Sequence, residues 1–320
     1  MMKKKLIITQ DLDSTYNDIL KEIIPEWEIY IGKDPSIWLE HLKDAEIVAG
    51  WKKEIKEHCL EESSQLKWLQ TWSAGVNNLP LSELESRNIQ LTSANGVHAY
   101  PISETIFGLM LALTRKIHTY VKNQQSKKWH HANMNLEMHE KTVGIIGVGA
   151  IGKETAKIAK AFGMKVLGVR HSGIQEDYVD EMYKQEQLNE ILPLCDYVVI
   201  TLPLTKETYR LLGAEQLKLM KSSAFLINIG RGEIIDESAL VQALTENEIA
   251  GAGLDVFIKE PLSEDSPLWE LENVIITPHT SGSTEHYNKR VMDDIFIPNL
   301  KSYIDDQKTI INVVDFEKGY

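Results

Sequence analysis

The sequence predicts an α/β protein with two parallel sheets, each covered by helices. In both halves of the 320-residue chain, short apolar runs alternate with polar segments of helical spacing, a pattern typical of parallel sheets. A glycine-rich loop stands between one such run and the helical segment that follows it. The hydrophobic content of 43% is enough for one large core or two ordinary ones.

The first half has four apolar runs that predict strands: "KLIIT", "AEIVAG", "LKWLQTWS" and "NIQLTS". Between them, helices are predicted at "STYNDILKEI" and "PSIWLEHLK". A longer helix is predicted over "PISETIFGLMLALTRKIHTYVKNQQSKKW", where apolar residues recur at three and four positions. Pro101 opens this helix and Ser103 is its predicted cap. Its length suits a connection between two domains.

The second half, from Thr142 onwards, has the strand count of a doubly wound dinucleotide-binding sheet. The predicted strands are "TVGIIG", "KVLGV", "DYVVITL", "AFLINIG", "GAGLDVF" and "NVIIT". Helices are predicted at "AIGKETAKIAKAFG", "DESALVQALTEN" and "STEHYNKRVMDDIFIPNLKSYIDD". We therefore expect two lobes with a ligand cleft between them.

Composition excludes several classes of protein. A net charge of −13 argues against a nucleic-acid partner and against attraction to anionic membranes. The apolar runs are too short to cross a bilayer, and the basic start "MMKKKLIITQ" lacks the long apolar stretch of a secretory signal. Cys59 and Cys195 match neither a disulfide framework nor a metal motif. These features predict a cytoplasmic protein.

The loop "TVGIIGVGAIG" places Gly147, Gly149 and Gly152 in a GxGxxG pattern between a strand and a helix. The first glycine permits a tight turn, the second lets the backbone approach a diphosphate, and the third allows close helix packing. The helix N-terminus then presents free N–H groups to the diphosphate. This context predicts a Rossmann-type dinucleotide site.

The residues that follow the next strand indicate which dinucleotide is bound. An acidic residue usually grips the ribose 2′-hydroxyl about 20 positions after the loop, but here Arg170 and His171 stand in "MKVLGVRHSG". Arginine can bind a 2′-phosphate in a bidentate manner. The sequence therefore predicts a preference for NADP(H), with Arg170 as the main contact and His171 and Ser172 assisting. The alternative is an arginine that lies in solvent and does not discriminate against NAD(H).

Three polar residues follow the ends of predicted strands: Arg231, Glu260 and His279. Carboxyl ends of parallel strands line the ligand crevice, so these side chains can converge. Histidine suits proton donation to a forming alkoxide, a neighbouring carboxylate favours and orients the imidazolium, and arginine matches a substrate carboxylate. Taken singly, each has a structural alternative: a loop contact, a surface charge or a turn residue. No metal is predicted, because His130, His131 and His139 lack a ligand pattern.

The chain resembles the D-isomer-specific 2-hydroxyacid dehydrogenase family over nearly its whole length. The resemblance is carried by "SAGVNNL", "TVGIIGVGAIG", "VVITLPLTKET", "INIGRGEIIDESAL", "GAGLDVFIKEPL" and "TPHTSG", in that order. The ending "INVVDFEKGY" is similar to that of glyoxylate/hydroxypyruvate reductases. The resemblance implies hydride transfer between a nicotinamide cofactor, predicted from Arg170 to be NADP(H), and a small 2-oxo or D-2-hydroxy acid such as glyoxylate or hydroxypyruvate.

The resemblance also implies roles for individual residues. Arg231 would bind the substrate's carboxylate and carbonyl, His279 would donate the proton, and Glu260 would be its partner. The substrate would also meet Ala74, Gly75, Val76 and, as a cap on the pocket, Trp51, although core packing explains a lone tryptophan equally well. Asp255 would bond the nicotinamide carboxamide. The remaining implied cofactor contacts are Gly147, Gly149, Ala150, Ile151, Gly152, Arg170, His171, Ser172, Leu202, Pro203, Ile229, Gly230, His279 and Gly282.

The implied architecture has a flavodoxin-like substrate domain of residues 1–97 and 286–320 and a Rossmann NAD(P)-binding domain of residues 98–285. It further implies a homodimer, to which "SETIFGLMLALTRKI" would contribute. Two alternatives stay open: a NAD-dependent phosphoglycerate-type dehydrogenase and a corepressor-like NAD(H)-sensing binding protein. Ala49, Gly50 and Trp51 stand where phosphoglycerate dehydrogenases supply a phosphate-binding arginine, although Lys52 and Lys53 follow. Asn77 replaces an aspartate that is frequent in relatives.

Overall fold

The computed structural model describes residues 3–76, 78–131, 135–305 and 309–316. It divides into two compact units, Met1–Val97 with Glu285–Tyr320 and His98–Thr284. Asn77 and the last four residues of "INVVDFEKGY" lie outside the described residues. Each unit contains one parallel sheet with helices, which confirms the predicted α/β class.

The first unit has a five-stranded parallel sheet in the order β2-β1-β3-β4-β5. Its strands are β1 (Lys5–Ile8), β2 (Glu28–Ile31), β3 (Ile47–Ala49), β4 (Trp68–Gln70) and β5 (Gln90–Thr92). Its first helices are α1 (Thr15–Ile23), α2 (Lys53–Cys59) and α3 (Leu81–Ser86). Alternate residues of β1 enter two different cores, with Ile7 on one side and Leu6 and Ile8 on the other. Burial on both faces explains why β1 reads as a continuous apolar run.

The segment "PSIWLEHLK" is not the predicted α-helix but two 3₁₀ turns, Pro35–Ile37 and Leu39–Asp44. The side chain of Asp34 accepts a hydrogen bond from the Ser36 N–H, which caps the first turn. Trp38 interrupts helical geometry between the turns, since its buried indole N–H donates to the Gly32 carbonyl at 3.0 Å. A tertiary contact therefore overrides the helical spacing.

The second unit has a seven-stranded parallel sheet in the order β12-β11-β10-β9-β6-β7-β8. Its strands are β6 (Thr142–Ile146), β7 (Lys165–Val169), β8 (Glu181–Tyr183), β9 (Tyr197–Ile200), β10 (Phe225–Asn228), β11 (Gly251–Leu254) and β12 (Val274–Ile276). The chain runs outward from β6 to β8, then returns to β9 on the other side of β6. This reversal creates the topological switch point at which doubly wound sheets bind ligands.

The helices of the second unit are α4 (Ala99–Thr114), α5 (Ile117–Gln125), α6 (Ala150–Ala161), α7 (Leu188–Ile191), α8 (Ala214–Leu219) and α9 (Glu237–Thr245). The long helix predicted from Pro101 is wrong in two respects. It breaks between α4 and α5, where Lys116 has a left-handed φ of 51°. Ser103 is not a cap but lies buried inside α4, where its hydroxyl donates to the Ala99 carbonyl at 2.7 Å.

The C-terminal helical segment belongs to the first unit and comprises α10 (Tyr287–Arg290), a wider π-helical stretch at Val291–Phe296, and α11 (Ile297–Ile304). Pro298 in the first turn of α11 has no N–H to bond a preceding carbonyl, which accounts for the wider turn before it. Phe296 stacks on Trp68 with ring centroids 5.2 Å apart. The segment is thereby fixed to the sheet of its own unit.

In the described part of the chain, no helix combines the length and the apolar character needed to cross a membrane. Each unit contains one buried cysteine without a disulfide, Cys59 in the first and Cys195 in the second. Burial raises the pKa of both thiols to about 12. Neither thiol is therefore ionised near neutral pH.

The third glycine of the loop allows α6 to pack closely against it. A Cβ at Gly152 would lie 2.4 Å from the backbone oxygen of Gly147. We expect Gly152→Ala to lower the free energy of unfolding by about 2 kcal/mol, because neither backbone segment can move aside. Thermal unfolding followed by circular dichroism measures the change. Gly149→Ala is the matched control, since a Cβ there meets nothing within 4 Å; equal effects of both substitutions would contradict this explanation.

Candidate active site

The glycine loop leaves β6 at its carboxyl end and enters α6 directly. Gly147 has a φ of 110°, and a Cβ at this position would lie 3.0 Å from the Leu202 amide nitrogen. Only glycine therefore allows this turn without strain. Gly149 is the N-cap residue of α6, and space is open beside its Cα.

The start of α6 fits an anionic ligand. The first hydrogen bond of the helix runs from the Lys153 N–H to the Gly149 carbonyl at 2.9 Å. The amides of Ala150, Ile151 and Gly152 precede that bond, so they are the orphan donors of a helix N-terminus. Together with the open side of Gly149, they form a cradle suited to a diphosphate.

The other predicted cofactor residues of this unit lie near the ends of β9 and β10. Leu202 is half-buried and Pro203 is exposed. The Ile229 N–H donates to the Ile200 carbonyl at 3.2 Å, and a Cβ at Gly230 would lie 2.7 Å from the Leu202 oxygen. The structure therefore brings the segments around Leu202 and Gly230 into contact beside the glycine loop.

Arg170 follows β7 as predicted, but its guanidinium forms an ion pair with Glu176. The second oxygen of Glu176 lies 2.7 Å from the ammonium nitrogen of Lys153 in α6. The hydrogen bond from Lys153, together with Arg170, holds the pKa of the Glu176 carboxyl below its usual value despite partial burial. His171 is exposed, and the Ser172 hydroxyl accepts a hydrogen bond from the Ile174 N–H at 3.3 Å. Sequence reasoning missed both Glu176 and Lys153.

Arg231 lies in the loop after β10 and is exposed. Its guanidinium donates to the Gly230 carbonyl at 2.7 Å, and its own carbonyl accepts from the Asn228 side chain at 3.0 Å. Within the described residues it forms no ion pair, so its charge is not neutralised by a carboxylate there. The adjacent Gly232 lies against the backbone that follows β11, since a Cβ would be 2.0 Å from the Phe257 carbonyl carbon.

Glu260 and His279 form a direct pair. The Nδ1 atom of His279 lies 2.7 Å from Glu260 Oε2, while Glu260 Oε1 accepts the Phe257 N–H at 3.0 Å. Burial raises the pKa of the Glu260 carboxyl, but the hydrogen bonds from His279 and Phe257 outweigh this effect and lower it overall. The carboxylate is therefore ionised at neutral pH and faces a half-exposed imidazole.

Asp255 holds the turn that carries His279. It is fully buried at the end of β11, and its carboxylate accepts from the Thr277 hydroxyl at 2.6 Å and from the N–H groups of Thr280 and Ser281 at 3.0 and 3.1 Å. The His279 N–H donates to the Asp255 carbonyl at 2.9 Å, and His279 has a left-handed φ of 52°. Asp255 was predicted only as a contact of the carboxamide, and this internal role was missed.

Gly282 closes the same turn, and its carbonyl oxygen lies 2.8 Å from Nδ1 of His98.

Four further predicted residues belong to the first unit. Trp51 is half-buried and packs against the core of that unit, and Val76 is buried in the same core. Ala74 is half-buried and Gly75 is exposed, with the Gly75 carbonyl accepting from the Ser73 hydroxyl at 3.0 Å. Their substrate contacts stay predictions.

The arrangement in the second unit combines a proton carrier with a cation. Arg231, Glu260 and His279 follow β10, β11 and β12, which are adjacent in the sheet. Glu260 contacts His279 directly, and the Arg231 loop reaches Glu260 through the Gly232–Phe257 backbone contact. An imidazole oriented by a carboxylate can transfer a proton, and an uncompensated guanidinium can bind an anion. Among the described residues, no group of three or more His, Cys, Asp or Glu side chains is placed to hold a metal ion.

Comparison with known proteins agrees with this geometry. Residues 107–281 match the model of the D-isomer specific 2-hydroxyacid dehydrogenase NAD binding domain. A glyoxylate reductase of Thermococcus litoralis is 34% identical over 318 residues, covering 94% of each chain. A D-3-phosphoglycerate dehydrogenase of Methanocaldococcus jannaschii is 34% identical over 291 residues, covering 89% of this chain and 55% of the relative.

Among solved structures, a D-isomer specific 2-hydroxyacid dehydrogenase from Xanthobacter autotrophicus, in complex with NADPH and MES, superposes with a TM-score of 0.79. It is 26% identical, and the match covers 100% of both chains. Sequence motifs, sheet order and full-length similarity thus agree. The chain belongs to the D-isomer specific 2-hydroxyacid dehydrogenase family and is an enzyme with a nicotinamide-dinucleotide-binding domain.

Proposed function

We propose that this enzyme reduces a small, non-phosphorylated 2-oxo acid, such as glyoxylate or hydroxypyruvate, with NADP(H) as the preferred cofactor. The observation that carries the proposal is the 2.7 Å contact between His279 Nδ1 and Glu260 Oε2. His279 follows β12 and Glu260 follows β11, and these two strands are neighbours in the sheet. A proton donor and an uncompensated arginine on neighbouring loops match the needs of a 2-oxo acid. The name of the Thermococcus litoralis relative supports the substrate class.

His279 would supply the proton that the product hydroxyl requires. A reduced nicotinamide, when bound, supplies the hydride, and the substrate oxygen then takes up a proton. Nδ1 of His279 faces Glu260, so Nε2 is the ring nitrogen left for the substrate. Glu260 would hold the ring orientation and balance its positive charge, while Asp255 keeps the turn in place.

Arg231 would bind and orient the acid. Its planar guanidinium offers parallel donors that match a carboxylate, and one of its N–H groups is already fixed on the Gly230 carbonyl. This contact limits the side chain's rotation and lowers the entropic cost of binding. The backbone amides around Ala74, Gly75 and Val76 are proposed as further carboxylate contacts.

The phosphoglycerate alternative needs a cation that binds the substrate's phosphate. Two lysines, Lys52 and Lys53, follow Trp51 in the first unit. Lys52 donates to the Lys33 carbonyl and lies 5.2 Å above the Trp38 ring. Lys53 forms an ion pair with Glu57 at 3.4 Å. The choice of a substrate without a phosphate therefore rests on Ala49, Gly50 and Trp51, which stand where phosphoglycerate dehydrogenases supply a phosphate-binding arginine, and not on the contacts of these two lysines.

The test is a substrate panel run with both nicotinamides. We expect NADPH oxidation with glyoxylate and hydroxypyruvate, a lower kcat/KM with phosphohydroxypyruvate, and a lower kcat/KM with NADH. The loss of reduced-nicotinamide absorbance measures each rate. Turnover confined to phosphohydroxypyruvate would support the phosphoglycerate alternative, and no oxidation with any small 2-oxo acid would favour the corepressor-like one.

The Glu260–His279 pair can be tested by one conservative substitution. Glu260→Gln keeps the side-chain shape but removes the charge that balances a protonated ring, so we expect kcat to fall about a hundredfold with a smaller change in KM. Steady-state kinetics with glyoxylate measures both constants. Glu264→Gln in the same loop is the control, since Glu264 is exposed. A fully active Glu260→Gln enzyme would remove Glu260 from the mechanism.

We also propose that the chain forms a homodimer. The segment "SETIFGLMLALTRKI" that the resemblance implies ends at Ile117, where α5 begins, and the proposed interface covers this segment and α5. Ile117 and Val121 on α5 are 47% and 48% exposed, and Trp129 beyond it is 94% exposed. A second copy that packed on this segment would remove these apolar side chains from water. We expect light scattering to give twice the mass of one chain and Val121→Glu to reduce it to one. A parent protein of single-chain mass would contradict the proposal.

A further inference from the structure

A small ionic cluster lies beside the glycine loop and is not explained by catalysis. The carboxylate of Glu176 contacts two cations, the guanidinium of Arg170 and the ammonium of Lys153 at 2.7 Å. Glu176 is the least exposed member, with 16% of its side chain accessible, against 38% for Arg170 and 49% for Lys153. One anion thus holds two cations at the surface of the second unit.

The position of the cluster links it to the cofactor's adenosine end. Lys153 directly follows Gly152, the third glycine of the loop, and Arg170 directly follows β7. In doubly wound folds the residue after this second strand reads the ribose 2′ position, through a carboxylate for a hydroxyl and through a cation for a phosphate. Here the cation stands at that place, and a carboxylate six residues later binds to it.

Carboxylate and phosphate oxygens are alternative partners for the same donors. A 2′-phosphate that bound Arg170 and Lys153 would have to take them from Glu176 and would be repelled by its negative charge. The lowered pKa of Glu176 means that protonation does not remove this charge near neutral pH. The cluster therefore weakens the attraction that its two cations alone would exert on a phosphate.

We propose that Glu176 is a specificity-determining residue, an internal anion that competes with the cofactor's 2′-phosphate for Arg170 and Lys153. This inference rests on the proposed NADP(H) preference and deepens it: the preference is set by the balance between two cations and one carboxylate. NAD(H) carries no 2′-phosphate, so Glu176 weakens the binding of NADP(H) alone. Glu176 thereby reduces discrimination against NAD(H).

The backbone around Glu176 is held by contacts that do not involve its carboxylate. The Gly173 N–H donates to the Arg170 carbonyl at 3.0 Å. The Gln175 side chain donates to the Val179 carbonyl at 2.6 Å. The loop therefore keeps its path when the charge is removed, and Glu176→Gln is a suitable probe.

The experiment measures binding by calorimetry, with adenosine 2′,5′-bisphosphate and 5′-AMP as probes. We expect Glu176→Gln to bind the bisphosphate about tenfold more tightly than the parent, because a competing charge is lost from a partly exposed site. Binding of 5′-AMP should not change. The control is Glu181→Gln, which removes a carboxylate paired at 2.7 Å with Lys165, and it should change neither affinity.

Unchanged or weaker bisphosphate binding in a folded Glu176→Gln protein would overturn the inference, since Glu176 would then merely position the cations. Thermal unfolding verifies the fold of each variant. A second variant, Lys153→Met in the Glu176→Gln background, should lose most of the gain; full retention would remove Lys153 from the site. If the parent protein does not bind the bisphosphate but the Glu176→Gln protein does, only the NADP(H) proposal is refuted. If neither protein binds it, both proposals fail.

Discussion

The buried carboxylate of Asp255 is the interaction on which the position of His279 depends. A charge without solvent is costly to bury unless hydrogen bonds compensate it, and Asp255 receives three, all from the segment after β12. The same segment carries His279 in a left-handed conformation that non-glycine residues rarely adopt. The three hydrogen bonds compensate the burial of the carboxylate and hold the turn in its left-handed conformation. The imidazole of His279 therefore faces Glu260 although His279 lies in neither a helix nor a strand.

Close backbone contacts provide the second constraint. Gly230 lies against the Leu202 carbonyl, and Gly232 lies against the Phe257 backbone. Each contact joins a loop at one strand end to the loop at the neighbouring strand end, and neither tolerates a side chain at the glycine. The loops that follow β9, β10 and β11 are therefore joined by backbone contacts, and two of these loops carry Arg231 and Glu260. Arg231 and Glu260 derive their relative positions mainly from main-chain packing.

Much of this could be predicted from the sequence, because doubly buried strands and a glycine loop leave strong local patterns. Six of the seven strands of the second sheet and the order of the three site residues followed from those patterns. The edge strands β2 and β8 were missed, since "EIYI" and "EMY" are short, only partly buried and each begin with a glutamate. The break at Lys116 is a single left-handed residue with no glycine to mark it. Glu176 could not be identified as the partner of Arg170, because its role depends on how the turn after β7 brings it back to Lys153.

The two buried cysteines have a practical consequence. Cys59 and Cys195 lie in different units, are fully inaccessible and have thiol pKa values of about 12. A thiol must become exposed and ionise before it reacts with an alkylating reagent. The chain thus carries one intrinsic reporter of local opening in each half, and mass spectrometry can distinguish the two labelled peptides. The rate at which each cysteine is alkylated therefore measures local opening of its unit, and no engineered label is needed.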